Sequence, residues 1–273
     1  MPDAPTQTAI VERLRAAGCV FAEDEADLLL TTAASDELEQ MVQQRVRGDP
    51  LEQILGWAEF GGLRVAVIAG VFVPRRRTEL LLRQALTLAP PRPVVVELCC
   101  GSAALALALA STLPAVELYV TDIDSAAVQC ARQNLAGLPG RGAVLQGDLY
   151  EPLPHFLMGR VDLLLANAPY VPTGSMRLLP PEARLYEPRV ALDGGADGLA
   201  VVQRIVAGAK RWLAPDGAVL LETSRGQAPA VVAALECYEM AGRIVTSDEL
   251  DATVVIASRT RPDIPYNHAA AGH

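Results

Sequence analysis

The N-terminal part of the chain has a helical pattern. Apolar side chains recur three or four positions apart, as at Ile10 and Leu14 and again at Leu38 and Met41. That spacing places them on one face of a helix. We predict a small helical domain over residues 1–48.

The next segment changes to a strand pattern. Leu63, Val65 and Val67 alternate with other residues, and glycines on both sides mark turns. A period of two is typical of a half-buried strand. We predict a β-hairpin linker over residues 49–77.

From residue 78 onward, short apolar strands alternate with helical segments. Alternation of this kind predicts an α/β fold with a largely parallel sheet and helices on both faces, and two late strands joined by a short link suit an antiparallel edge. We place this domain at residues 78–259 and predict a disordered tail over residues 260–273. The predicted strands cover residues 94–98, 117–120, 143–146, 162–166, 218–221, 243–245 and 253–258.

Composition and charge narrow the function classes. The net charge of −9 argues against nucleic-acid binding as the main function, because such binding depends on many contacts between cationic side chains and phosphates. No apolar run reaches the length of a membrane span, and the first residues lack the apolar core of a secretory signal, so we expect a cytoplasmic protein without a membrane partner. The five cysteines have no zinc-type spacing, and no metal site is predicted.

Polar residues at successive strand ends predict a nucleoside cofactor. Gly101 permits a turn before a helix, Asp122 follows about twenty residues later, and Asp148 follows the third strand. Such carboxylates suit ribose hydroxyls and an adenine amine. Because the loop has one glycine rather than the three that a pyrophosphate requires, S-adenosyl-L-methionine is favoured over NAD. The predicted cofactor-binding residues are Glu97, Cys99, Gly101, Ser102, Asp122, Ile123, Asp148, Leu149 and Asn167.

The fourth strand of the α/β domain ends in Asn167, Ala168, Pro169 and Tyr170. The side-chain oxygen of Asn167 and nearby backbone carbonyls can accept hydrogen bonds from a planar NH2 group. We predict these four residues as the catalytic loop. An ordinary turn is the alternative explanation of the same sequence.

Four stretches of the chain resemble the HemK/PrmC family of protein-glutamine methyltransferases. They are PLEQILGWAEFGGL, VPRRRTEL, NAPY and YEPRVALDGGADGL, which begin at Pro50, Val73, Asn167 and Tyr186. The resemblance implies a class I S-adenosylmethionine-dependent methyltransferase, Rossmann-like with a mostly parallel seven-stranded sheet. It also implies a helical N-terminal substrate-recognition domain and methylation of the glutamine amide in the Gly-Gly-Gln motif of peptide-chain release factors.

The same stretches imply where the substrate binds. The predicted substrate-binding residues are Arg75 and Thr78 in the linker stretch and Glu187 and Pro188 after the catalytic loop. In this interpretation the oxygen of Asn167 and the backbone carbonyl of Ala168 each accept one N–H of the substrate amide, while Tyr170 packs on it.

Several positions depart from the family pattern. Ala168 replaces the first proline of Asn-Pro-Pro-Tyr, and Arg76 and Arg77 replace the inner proline and acid of the linker motif. In the cofactor loop, Glu97, Cys99, Cys100 and Ala103 stand in place of family residues, two of them glycines. These departures leave two alternatives open: an N-methyltransferase with a small-molecule or other nitrogen acceptor, and a binding module without activity.

Overall fold

The computed structural model describes residues 6–34, 37–138 and 141–258. The helices of this part are α1 Gln7–Ala16, α2 Ala22–Thr32, α3 Leu38–Val46, α4 Leu51–Leu55, α5 Glu79–Leu88, α6 Ala104–Thr112, α7 Ser125–Asn134, α8 Pro181–Tyr186, α9 Arg189–Leu192, α10 Ala200–Trp212 and α11 Ala228–Glu236. The strands are β1 Trp57–Phe60, β2 Leu63–Ala66, β3 Val94–Leu98, β4 Glu117–Asp122, β5 Arg141–Gln146, β6 Val161–Ala166, β7 Leu213–Glu222, β8 Ala241–Ser247 and β9 Ala252–Ser258.

Within the described residues, seven strands form one sheet in the order β5-β4-β3-β6-β7-β9-β8. The first five are parallel, and β9 is antiparallel to both β7 and β8. The predicted α/β fold with an antiparallel edge is therefore confirmed. Parallel strands end at the same edge of a sheet, so the polar residues that follow β3, β4, β5 and β6 are brought together.

Helices cover both faces of this sheet. On one face, α5 and α6 pack their leucines and alanines against alternate strand residues such as Val95 and Leu220. On the other face, α10 and α11 pack against the intervening residues such as Val96 and Leu221. Both faces are buried, which explains why the central strands read as continuous apolar runs.

The N-terminal helices form a core of their own. Ile10, Leu14, Leu29 and Met41 lie among the buried residues that hold α1, α2 and α3 together. The charged pair of Arg45 with Glu25 lies in the same unit, with a nitrogen–oxygen distance of 2.6 Å. The helical character predicted for this region is confirmed.

The linker contains the predicted hairpin, with one addition. Strands β1 and β2 pair antiparallel from Trp57 with Ala66 to Phe60 with Leu63, whereas the residues just before them form the short helix α4. Gly56 ends that helix in the left-handed conformation that glycine adopts without strain. The domain boundaries at residues 48, 77 and 259 stay predictions, and the predicted disordered tail lies outside the described residues.

No helix in the described ranges is long and apolar enough to cross a membrane.

Candidate functional site

A cleft of about 230 Å³ opens at the carboxyl ends of the parallel strands. Every predicted cofactor-binding residue lines it, from Glu97 near the end of β3 to Asn167 after β6. Thr78, Pro169 and Pro188 also lie on its wall. Residues as far apart in the chain as Phe60 and Arg204 thus share one cavity, because the sheet brings the strand ends together.

The loop between β3 and α6 has an unusual backbone. Cys99, Gly101 and Ala103 have φ angles of 55°, 54° and 58°. These are three positions at which the family pattern has glycine, and left-handed φ angles cost a non-glycine residue about 1–2 kcal/mol. The loop therefore keeps a glycine-type conformation at Cys99 and Ala103 although the glycines themselves are absent.

Two carboxylates stand at the start of this loop and on the next strand. Glu97 is buried, and its Oε2 accepts a hydrogen bond from the backbone N–H of Ala106 at 3.0 Å. Burial raises the pKa of Glu97 to about 8, although the Ala106 bond opposes this and the neighbouring Asp122 adds to it. Burial also raises the pKa of Asp122. A cation bound between these two groups would relieve the cost of burying them.

The carboxylate of Asp122 organises its surroundings. Its Oδ2 accepts from the backbone N–H of Gly101 and its Oδ1 from that of Asp124, both at 2.9 Å. Each carboxylate oxygen has a second lone pair, so hydroxyl groups of a ligand can still donate to it. The exposed side chain of Ile123 lies beside it on the cleft wall.

On the cleft wall, Asp148 is paired with Arg204. The distance from Arg204 Nη2 to Asp148 Oδ2 is 2.7 Å, and both side chains are part-exposed. Arg204 comes from α10 and lines the cleft. Nothing in the sequence pattern singled out Arg204, because an arginine on the polar face of an amphipathic helix is ordinary.

Asn167 follows β6 directly and reaches the cleft. Its Nδ2 donates to the hydroxyl oxygen of Thr78 at 3.3 Å. With its NH2 group directed to Thr78, the Asn167 oxygen is left to accept hydrogen bonds from a ligand. Thr78 itself lies in the turn that precedes α5 and is buried.

The other residues of the predicted catalytic loop are placed differently. Pro169 lines the cleft, whereas Ala168 is 2% exposed and packs in the core. Tyr170 does not line the cleft, and its hydroxyl accepts from Arg77 at 3.5 Å. Burial raises the pKa of Tyr170, and the carboxylate of Glu222 adds to that effect.

The backbone of the catalytic loop is held by the glycine-rich segment 194–198. The Gly194 N–H donates to the Val171 carbonyl at 2.8 Å. A Cβ at Gly194 would lie 2.7 Å from the Pro169 oxygen, and a Cβ at Gly198 would lie 2.2 Å from the Tyr170 oxygen. The close approach of these two backbones therefore requires glycine.

The methyltransferase small domain family matches residues 63–178. A release factor glutamine methyltransferase from Moorella thermoacetica is 39% identical over 206 residues, which cover 74% of this chain and 71% of that relative. The chain belongs to the family of release factor glutamine methyltransferases. Its cofactor is S-adenosylmethionine.

Another relative in the same range has a different substrate in its name. The 4-amino-L-phenylalanine/4-methylamino-L-phenylalanine methyltransferase from Streptomyces pristinaespiralis is 34% identical over 227 residues, which cover 81% of this chain and 76% of that relative. Alignments with the first curated relatives span 64% to 76% of those proteins. Membership of the family therefore does not by itself define the methyl acceptor.

A solved structure supports the fold. The methyltransferase from Pyrococcus furiosus matches with a TM-score of 0.55 at 14% sequence identity, and the match covers 72% of this chain and 89% of that one.

Two predicted substrate-binding residues of this methyltransferase bind each other. Arg75 Nη2 lies 2.5 Å from Glu187 Oε1, and the same oxygen accepts from the Val73 N–H at 3.2 Å. The Glu187 side chain is 1% exposed, and neither Arg75 nor Glu187 lines the cleft. The pair joins the linker to the segment after the catalytic loop. It would therefore influence a substrate by fixing the positions of these two segments and not by direct contact.

Several cleft residues of this methyltransferase were missed in the sequence. Phe60 and Phe72 come from the linker and Val190 from α9, and all three give the wall an apolar character. Glu222, at the end of β7, is also close to the site. The sequence could have identified it by its position, because it is an acidic residue at a strand end like Glu97. In the part of the chain that the structure describes, no group of three or more His, Cys, Asp or Glu side chains could hold a metal ion.

Proposed function

We propose that this methyltransferase methylates the side-chain amide nitrogen of the glutamine in the Gly-Gly-Gln motif of a peptide-chain release factor. The observation that carries the proposal is the position of Asn167, which lies on the cleft wall with its NH2 group donating to Thr78 and its oxygen left to accept an N–H of the substrate. The names of the curated relatives support the choice of substrate.

The lining residues fit the cofactor. S-adenosylmethionine carries a cationic amino group, a ribose and an adenine amine, all of which are hydrogen-bond donors. The cleft offers the buried carboxylate of Glu97, the free lone pairs of Asp122, and Asp148 at successive strand ends. In the proposal Glu97 attracts the amino group, Asp122 accepts from the ribose, and Asp148 accepts from the adenine amine, while Ile123 and Leu149 cover the adenine faces.

In this proposal the substrate is held by the residues that follow β6, together with Thr78. When bound, the cofactor supplies an electrophilic methyl group on a sulfonium. The Asn167 oxygen and the Ala168 backbone carbonyl each accept one N–H of the substrate amide, which orients the nitrogen and favours the positive charge that develops on it. No strong base is needed, because an alkylated amide nitrogen is acidic and loses its proton afterwards. Pro169 limits the conformations of the loop, and Thr78 orients Asn167.

The direct test is mass spectrometry of release factors. Purified release factor from the same cell is incubated with the protein and isotope-labelled S-adenosylmethionine, and the Gly-Gly-Gln peptide is analysed. We expect one labelled methyl group on the glutamine. A release factor with Glu in place of that glutamine is the matched control and should carry no label. An unlabelled wild-type peptide, with cofactor binding confirmed by calorimetry in the same sample, would contradict the proposal.

A second candidate acceptor is a small aromatic amine. Two observations favour it: the relative named after 4-amino-L-phenylalanine aligns with 81% of this chain, and the cleft wall contains Phe60, Phe72 and Val190. An aromatic amine is nearly planar and could use the same Asn167 oxygen. Labelled methyl transfer to free 4-amino-L-phenylalanine, run beside the release-factor assay, separates the two candidates. Transfer to the amino acid alone would favour the second.

A further inference from the structure

Glu222 is a buried carboxylate that the proposed mechanism does not use. It ends β7, it is 2% exposed, and neither carboxylate oxygen has a hydrogen-bond partner of normal geometry among the residues that the structure describes. Burial raises the pKa of Glu222 to about 7, and the Thr78 hydroxyl and the Arg77 charge partly oppose this. Burying a carboxylate without a partner destabilises a protein, so this position is costly for the fold alone.

The sheet places Glu222 beside Asn167. The register pairs Ala166 of β6 with Leu221 of β7. Asn167 and Glu222 are the next residues along the two chains, so they lie side by side at neighbouring strand ends. Because side chains alternate along a strand, Glu222 lies on the same face as Leu220, the face that α5 covers. Thr78 immediately precedes α5 and lies close to the Glu222 carboxylate.

Thr78 connects the two side chains. Its hydroxyl oxygen accepts from Asn167 Nδ2 at 3.3 Å, and its hydroxyl hydrogen remains to be donated. A hydroxyl group can accept and donate at once, and an ionised carboxylate can only accept. Other charged and titratable groups near Glu222 are Arg77, which is exposed, and Tyr170, whose hydroxyl contacts Arg77.

We propose that Glu222 is a positioning residue that orients the Asn167 amide through Thr78. The carboxylate accepts the Thr78 hydroxyl hydrogen, which leaves a lone pair of that oxygen for the Asn167 NH2 group and turns the Asn167 oxygen toward the substrate. If the oxygen and the NH2 group of the Asn167 amide exchanged places, the NH2 group would face the substrate N–H, and two donors cannot form a hydrogen bond. This inference rests on the proposed function, because it requires Asn167 to accept an N–H of the substrate.

The test uses Glu222→Met, which keeps the approximate size of the side chain but cannot accept a hydrogen bond from Thr78. We expect kcat on the release factor to fall about tenfold to a hundredfold, as for misorientation of a reacting group. The dissociation constant of S-adenosylmethionine should not change, and the melting temperature should stay equal or rise. A melting temperature that falls in parallel with activity would indicate a structural role and overturn the inference.

Thr78 provides an independent test. Thr78→Val should lower kcat to a similar extent, and Thr78→Ser, which restores the hydroxyl, should recover most of it. The double variant Glu222→Met with Thr78→Val should be no slower than the slower single variant, because both act through one hydrogen-bond chain. Multiplied effects, or full kcat in Glu222→Met, would overturn the inference. Failure of the proposed function is distinguishable from failure of this inference, because the wild-type protein would then leave the release factor unlabelled before any variant is tested.

Discussion

Asn167 is the residue on which the proposed chemistry depends. Its neighbour Ala168 replaces a family proline, yet the position is 2% exposed and its side chain packs in the core. The backbone carbonyl needed by the mechanism is present with either residue. The loop is also held by Gln227, whose Nε2 donates to the Tyr170 carbonyl at 2.9 Å. This contact limits the conformational freedom that the loop gains when alanine stands in place of the proline.

Asn167→Ala should abolish turnover, because the substrate amide loses the acceptor that orients it. We expect kcat to fall at least about a hundredfold. Cofactor affinity, measured by calorimetric titration, should change little, since the carboxylates of Glu97, Asp122 and Asp148 are untouched. A variant with undiminished turnover would refute the proposed mechanism.

At the scale of elements, the segment between α9 and α10 supports the catalytic loop. Val171 and Asp193 form an isolated bridge, and the Thr173 N–H donates to the Gly195 carbonyl at 2.8 Å. The glycine-rich part of the stretch that begins at Tyr186, one of the four that resemble the family, thus packs directly on the catalytic loop. Its glycines are required by close backbone contact rather than by flexibility.

Gly198→Ala should damage both stability and catalysis. Gly198 has a φ of +77°, and an added Cβ would lie 2.2 Å from the Tyr170 carbonyl oxygen, so the catalytic loop has to move. Gly159→Ala is the matched control, because its φ is +72° but nothing lies within 4 Å of its Cβ. Both variants should lose about 1 kcal/mol of stability from backbone strain. Only Gly198→Ala should also lose kcat, which activity assays at equal folded concentration would measure.

At the scale of the whole molecule, buried carboxylates make stability depend on pH. Burial raises the pKa of Glu97 to about 8 and that of Glu222 to about 7. Both values lie above that of glutamate in an unfolded chain, about 4.3, so the folded state binds protons more tightly. The stabilising contribution of these groups is complete below that lower value and is lost as the pH rises through the folded-state pKa.

Glu222→Gln should reveal this dependence, because it removes one titrating group. Relative to the wild type, the free energy of unfolding of the variant should increase by about 3 kcal/mol between pH 4.5 and pH 8. Chemical unfolding at pH 4.5, 6 and 8 measures it. If the difference between the two proteins is the same at all three pH values, Glu222 does not titrate in this range.

By itself the sequence determined the α/β fold, the strand ends and the family. These features depend on local periodicity and on short motifs, which are readable because each strand or helix buries its own apolar face. The positions of Glu97, Asp122, Asp148 and Asn167 at one sheet edge follow from the parallel arrangement alone.

Only the tertiary structure decided which side chains contact each other. Asn167 and Thr78 are 89 positions apart, Arg75 and Glu187 are 112 apart, and Asp148 and Arg204 are 56 apart. No local pattern encodes such pairs, because they form where the linker, α10 and the strand ends pack in three dimensions. For the same reason Arg75 and Glu187 were expected on a substrate and are found bound to each other, and Glu222 acquires its place beside Asn167 only through the register of β6 and β7.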